Sequence, residues 1–231
     1  MSDVRSKVTR RPRSKLERLL DALGAAHTAP TRPPVDLGVQ VALSCLVAAQ
    51  VSPADARDRV RAWSTASGVD AARLVAVTDE DVAGVCPADH VRPAAAALRA
   101  VGHLVADGAL DETWDAEDTR RALLGVPGMT PPVADYLLLA AGRLATVAPT
   151  LPAMRVAVRI GYPGATYGAV ARALDLELPN AGDVGSAWRA HQLLDHHGRL
   201  VCTPRPACAT CPLRDGCSYA GEGVDPALRL T

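Results

Sequence analysis

The chain is 231 residues long and 48% apolar, with 25 basic against 25 acidic side chains and a formal net charge of zero. That content excludes a disordered or fibrous chain, and no apolar run reaches the roughly 18–20 residues a bilayer span needs, so no membrane partner is expected. The neutral total neither favours nor excludes a polyanion, because it hides a basic start (Arg5, Lys7, Arg10, Arg11, Arg13, Lys15) and an acidic stretch from Asp70 to Asp118. The start has neither the apolar core nor the small-residue cleavage site of a secretory signal, and a cytoplasmic protein is expected. The basic arm reads either as a solvated terminus or as a phosphate-tracking segment.

Helical spacing recurs along the chain and strict apolar/polar alternation does not, which gives an all-α class. A short helix covers Leu16 to Leu23. A proline-rich break, Ala29 to Pro34, precedes a helix that carries Leu37, Val41, Cys45 and Leu46 and ends near Gln50. The run SPAD places Ser52 as N-cap, Pro53 at the first helical position and Asp55 where its carboxylate reaches back; TDED, Thr78 to Asp81, repeats the device. Further helices are expected around Arg92–Ala106, Ala116–Leu124, Ala153–Ile160, Tyr167–Leu174 and Val184–His196, roughly ten in all. Between them VPGMTPPVADYLLLAA, Val126 to Ala141, enters a long apolar helix through two adjacent prolines, with Thr130 as cap and Pro131 at the first helical position.

The strongest signal lies near the C-terminus. Cys202, Cys208, Cys211 and Cys217 are spaced C-x5-C-x2-C-x5-C. Thiolates gathered this closely in a cytosolic chain suit an iron–sulfur cluster or a tetrahedral zinc better than disulfides, and the single C-x2-C pair favours iron–sulfur over a zinc ribbon with its two pairs. Cys45 and Cys86, each alone among apolar residues, read as core. His90, His196 and His197 have no ligand spacing to the cysteines and read as ordinary, the latter two as phosphate or packing contacts. Trp63, Trp114 and Trp188 read as core aromatics.

With the cysteines placed directly after LLDHHGRLVC, the chain from about Leu16 to Tyr219 resembles the endonuclease III family, helix-hairpin-helix DNA glycosylases that carry a 4Fe-4S cluster. LSCLVAAQVSPADA is similar to the family stretch whose glutamine enters the DNA stack, and Gln50 falls on that glutamine. VPGMTPPVAD aligns without gaps to the family hairpin. The resemblance implies a 4Fe-4S cluster on Cys202, Cys208, Cys211 and Cys217, and a phosphate grip by the backbone of Gly128, Met129 and Thr130, since each proline deletes an amide donor. Arg155 matches a family arginine and is expected at DNA. It also implies a helical-barrel domain over 30–142, an iron–sulfur domain made of 1–29 and 143–231, and a cleft between them for double-stranded DNA, damaged or abasic, bound by a monomer. Arg199, Arg205 and Arg214 stand near the cluster where phosphates would pass.

Two positions depart from the family. Its Schiff-base lysine falls on Pro132 and its catalytic aspartate on Thr150, so no catalytic residue is intact. AP-lyase chemistry by the lysine route is therefore not expected, and base removal would need a carboxylate from elsewhere; Asp135, Asp55 and Asp36 lie in the neighbourhood and read better as capping or surface residues. The expected function is a DNA base-excision-repair protein that flips a nucleotide. The alternatives are a non-catalytic DNA-binding iron–sulfur protein and a small electron carrier, the last leaving the hairpin and Gln50 without a use.

Overall fold

The computed structural model describes residues 12–28, 31–32, 35–65, 68–180 and 182–222. Arg5, Lys7, Arg10 and Arg11 of the basic start, and Pro30 at the expected domain boundary, lie outside them.

Among the described residues the chain forms twelve α-helices: α1 Lys15–Ala26, α2 Leu37–Ala48, α3 Pro53–Trp63, α4 Ala71–Val75, α5 Asp79–Ala83, α6 Val91–Ala106, α7 Ala116–Leu124, α8 Pro131–Ala141, α9 Leu151–Arg159, α10 Tyr167–Asp175, α11 Val184–Leu200 and α12 Ser218–Glu222. Cys208–Thr210 and Arg214–Gly216 are 3-10 turns, and Ser64–Thr65 pairs antiparallel with Gly68–Val69, Ser64 opposite Val69. The all-α expectation holds. The helix count exceeds the expected ten because α4 and α12, five residues each, are too short to show a period.

Caps account for most helix starts. Ser14 and Glu17 form a reciprocal capping box on α1, and Thr78 and Asp81 another on α5. At Ser52 only half of the device forms: its Oγ accepts from Asp55 N (3.1 Å), but Asp55 Oδ2 takes the Ser52 hydroxyl (2.5 Å) rather than the cap N–H. Thr130 occupies the N-cap of α8 without a side-chain cap bond. Pro131 and Pro132 offer no N–H to its hydroxyl, and the Val133 N–H goes to the Thr130 carbonyl (3.0 Å).

Helix α11 runs on to Leu200 instead of stopping near His196. Gly198 does not end it; the glycine lets α11 press on α9, where a Cβ would come within 2.5 Å of the Pro152 carbonyl oxygen.

Two apolar clusters result. One gathers α2 to α7 with Leu137 and Leu138 of α8; the other gathers Leu16, Leu19, Leu20 and Leu23 of α1 with α9, α10 and α11, Leu139 and Ala140 of α8, and Leu213. Helix α8 is apolar on nearly every side and so belongs to both. Its entrance at Pro131 and Pro132, exposed to solvent, therefore lies at the seam of the two clusters.

Candidate nucleic-acid interface

The link between α7 and α8 is a tight hairpin. Val126 N–H bonds Leu123 O (2.9 Å) and Met129 N–H bonds Val126 O (3.0 Å), while Gly128 takes φ +81 on the exposed tip. A side chain is disfavoured there by backbone conformation, not by crowding, since nothing lies within 4 Å of an added Cβ. The Met129 donor is consumed by the turn. Among the described residues, the N–H groups of Gly128 and Thr130 have no partner, which narrows the expected three-residue grip to two donors beside an exposed helix entrance.

Gln50 is exposed, directly after α2, at φ 62. Only one other non-glycine residue among those described has positive φ, Ala148 at φ 45. Such a conformation costs on the order of 1–3 kcal/mol and must be held by its surroundings. At Ala148 the holder is visible: the buried His191 Nδ1 stands 2.9 Å from Ala148 O and 3.1 Å from Val147 O, so this nitrogen carries the proton. Burial pushes the His191 imidazole below its usual range despite those bonds, and the ring stays neutral.

Two residues after Ala148, Thr150 accepts from Ala153 N (3.3 Å) to cap α9 and donates its hydroxyl to Asp195 Oδ1 on α11 (2.5 Å). Arg199, one turn along α11, donates to Asp195 Oδ2 (2.7 Å). Burial alone would raise the Asp195 pKa; the bonds from Arg199 and Thr150 outweigh it and hold the group below the ordinary range, ionised. The Tyr136 ring of α8, 41% exposed, lies 5.3 Å from the His191 ring, and Leu151 beside Thr150 is 66% exposed. The sequence offered no signal for Asp195 at this position, because its partner lies 45 residues away and only the α9–α11 crossing joins them.

The three expected carboxylates divide. Asp36 caps α2 and Asp55 sits at the α3 start, both exposed. Asp135 is a correction: it is neither a cap nor on the surface but 5% exposed, clamped by Arg120 Nε (2.5 Å) and the Tyr167 hydroxyl (2.7 Å). The carboxylate raises the Arg120 pKa, and burial, with Asp135 adding to it, raises that of Tyr167. This trio lines a cavity of about 790 Å3 that also touches Pro131, Pro132 and Asp175. Asp175 holds the chain at Thr146 Oγ1 and Val147 N (both 2.8 Å). Neither Thr150 nor Asp195 lines this cavity, and every polar group named in it is committed to an internal bond.

Cys202, Cys208, Cys211 and Cys217 line one small apolar cavity, none of them in a disulfide. No three His, Cys, Asp or Glu side chains among the described residues are gathered as a single ion would require. Two basic side chains are aimed at the sulfurs. Arg159, 1% exposed, donates to Cys202 Sγ (3.4 Å) and Thr203 O (2.6 Å), and His197 Nε2 lies 3.5 Å from Cys211 Sγ. Four cysteine sulfurs around one pocket, with a buried guanidinium donating to one of them, suit a bound group wider than one ion. Cys45 and Cys86 are buried in the first cluster as expected, Cys45 pushed up to about 12 by burial.

The histidines make packing contacts, as expected of His196 and His197. His197 is buried, its Nδ1 3.3 Å from His27 Nε2, and burial takes it to about 4; it touches the cysteine loop through the fold rather than by sequence spacing. His196 meets His27 edge-on, and His90 pairs with Asp89 (2.9 Å). Trp63 and Trp188 are buried, but Trp114 is 41% exposed, on the loop whose carbonyl Arg143 binds. Arg155, expected at DNA, gives two donors to Cys202 O and Gly198 O (both 2.8 Å), fastening α9 to the cysteine loop. Arg205 and Arg214 are exposed, as is Arg199.

Helices paired by a glycine turn, a strained glutamine and a four-cysteine loop define a helix-hairpin-helix protein with a cysteine-rich C-terminal module. Its fold is that of endonuclease III. Endonuclease III in a trapped covalent DNA intermediate, an estranged-adenine complex, matches 90% of this chain and 94% of its own with a TM-score of 0.60 at 20% identity; endonuclease III in a non-covalent DNA complex matches 89% and 95% with a TM-score of 0.63 at 19% identity. By sequence, the endonuclease III proteins of Rickettsia conorii and Rickettsia prowazekii are 32% and 31% identical over 100 residues, 43% of this chain and 46% of each relative. The match thus spans about half the length of either relative, and the sequence likeness is confined to that segment. No family model matches the chain.

Proposed function

We propose that the chain is a base-excision-repair protein of endonuclease III type that binds double-stranded DNA at damaged or abasic positions and extrudes the nucleotide, without lysine-dependent lyase chemistry. The observation that carries this reading is the hairpin: two unbonded amides, at Gly128 and Thr130, on an exposed tip at the entrance of the helix shared by both apolar clusters. Gln50, exposed and in a left-handed conformation, is the wedge, and residues 30–142 and 1–29 with 143–231 form two domains with the DNA cleft between them. Cys202, Cys208, Cys211 and Cys217 would hold a 4Fe-4S cluster, which supplies a cross-link for the loop they share. No described helix is long and apolar enough to cross a membrane, and the protein acts as a DNA-associated monomer.

Fluorescence anisotropy with a duplex carrying a tetrahydrofuran abasic analogue, beside an undamaged duplex, tests the reading. Preference for the analogue, with an affinity that falls steeply with salt, is expected; equal weak binding to both would sink it. Borohydride trapping on an abasic duplex should give no covalent adduct, since Pro132 has no amine. Iron and sulfide content with visible absorption tests the cluster, and stoichiometric zinc would replace it.

A non-catalytic DNA-binding role is favoured by the pairing of Pro132 with Thr150, which removes both expected reacting groups. Base release revealed by alkali across a panel of damaged bases separates the two: silence on every lesion, with binding retained, selects the binder.

A further inference from the structure

We propose that Asp195 is the carboxylate that faces the sugar of an extruded nucleotide, with Thr150 and Arg199 as its positioning residues. This rests on the DNA-lesion reading above and names the group that would make it an N-glycosidic hydrolase.

Aspartate is an unfavourable choice inside a helix unless it has a task, and Asp195 sits in the interior of α11, where it caps nothing. Its side chain is 19% exposed against 7% for Asp135, and Arg199 beside it is 61% exposed. Four other carboxylates serve helix starts or the fold: Asp36 and Asp55 stand at helix starts, Asp135 is closed in by Arg120 and Tyr167, and Asp175 holds Thr146 and Val147. Unlike those four, Asp195 meets the residue standing where the resemblance places a reacting aspartate, through the Thr150 hydroxyl at 2.5 Å. Around this pair lie the features that mark a working surface. Ala148 is held in a strained conformation by His191, Tyr136 presents a ring next to His191 from the helix that begins at Pro131, and Leu151 is exposed beside Thr150.

The chemistry balances with water alone. As the C1′–N bond breaks, its electron pair leaves with the base and positive charge develops at C1′ and the ring oxygen, where a fixed carboxylate is most stabilising. Water oxygen bonds C1′ and releases a proton to solvent while the departing base takes one from solvent, so one water is added across the broken bond and Asp195 stays ionised throughout. Because Thr150 and Arg199 donate to the two oxygens of Asp195, the carboxylate is oriented and its role is chiefly electrostatic. An ordinary surface ion pair between residues four apart would show the same Arg199 contact without any preference for a cationic sugar.

The test compares two duplexes in binding to the full-length, cluster-loaded protein: one with a cationic pyrrolidine in place of the deoxyribose, one with the neutral tetrahydrofuran. Wild type should prefer the pyrrolidine by about tenfold or more, in the manner of a transition-state mimic, and D195N should bind both alike. T150V, which keeps the charge and loses its orientation, should fall between. No preference in wild type, or a preference that D195N retains, overturns the role of Asp195 while leaving DNA-lesion binding intact. If neither analogue is preferred over undamaged duplex, the functional reading itself fails and takes this one with it. Visible absorption and helical circular dichroism of D195N confirm that a lost preference is not a lost fold.

Discussion

Asp135 and Asp195 are both aspartates in helix interiors with an arginine on the carboxylate, and they live in opposite surroundings. The Asp135 and Arg120 side chains are 7% and 28% exposed and closed by Tyr167; those of Asp195 and Arg199 are 19% and 61% exposed and open to solvent. The first clamps α7, α8 and α10 where the hairpin helix starts, so its charge serves to hold the fold. The second leaves a carboxylate at the surface of the α9–α11 crossing. Similar ion-pair chemistry thus serves structure in one place and reach in the other, and burial decides which.

Breaking the buried clamp should have the largest effect on stability. D135A leaves the Arg120 guanidinium without its carboxylate and the Tyr167 hydroxyl without its acceptor, and should cost roughly 2–4 kcal/mol in denaturant unfolding. A cost under about 1 kcal/mol would mean that water replaces the carboxylate and that the clamp is as open as the Asp195 pair. G198A comes next. Its methyl would collide with the Pro152 carbonyl, and a well-packed crossing forced apart loses about 1–3 kcal/mol. The same change should weaken the Thr150–Asp195 bond, so the pyrrolidine preference should fall with stability in G198A but stay in D135A.

A third effect depends on pH. His191 stays neutral when folded because burial depresses its pKa, whereas the unfolded imidazole protonates from about pH 6.5 downward. Stability from this group is therefore full above pH 6.5 and lost as pH falls toward the depressed folded value, at no more than about 1.4 kcal/mol per pH unit. Melting temperatures at several pH values for wild type and H191Q, which keeps a donor and cannot charge, isolate it. An unchanged slope in H191Q would show that His191 does not hold the strained Ala148 as a neutral donor.

Much of this was legible in the residues. Caps at Ser52 and Thr78, the Ala116–Leu124 helix and the cysteine spacing follow from local chemistry, which acts within a turn or two and leaves its mark in short strings. The prolines at 131 and 132 announced a helix entrance because their effect is on their own backbone. What stayed hidden was set by helix crossings. Helix α11 runs past His196 over the contact that Gly198 makes with α9, Asp135 looked like a cap and is a buried clamp, and Arg155, expected at DNA, has two donors tied to the cysteine loop. Arg159 gave no hint of its approach to the sulfurs, since no spacing links a helix face to a loop more than forty residues away.

The smallest expected change in stability falls at Asp195. D195N exchanges a partly exposed, salt-screened pair for a neutral amide of the same shape that can still accept from Thr150, and should alter unfolding free energy by only about 0.2–1 kcal/mol, less at high salt. D135N, the same chemical change in the closed setting, should cost several times more, because a neutral amide there faces a buried guanidinium. The two substitutions should therefore order one way in unfolding and the reverse way in the preference for a cationic sugar analogue. If D195N proves as destabilising as D135N, its carboxylate is a structural clamp like the first, and the distinction that burial draws between the two aspartates does not hold.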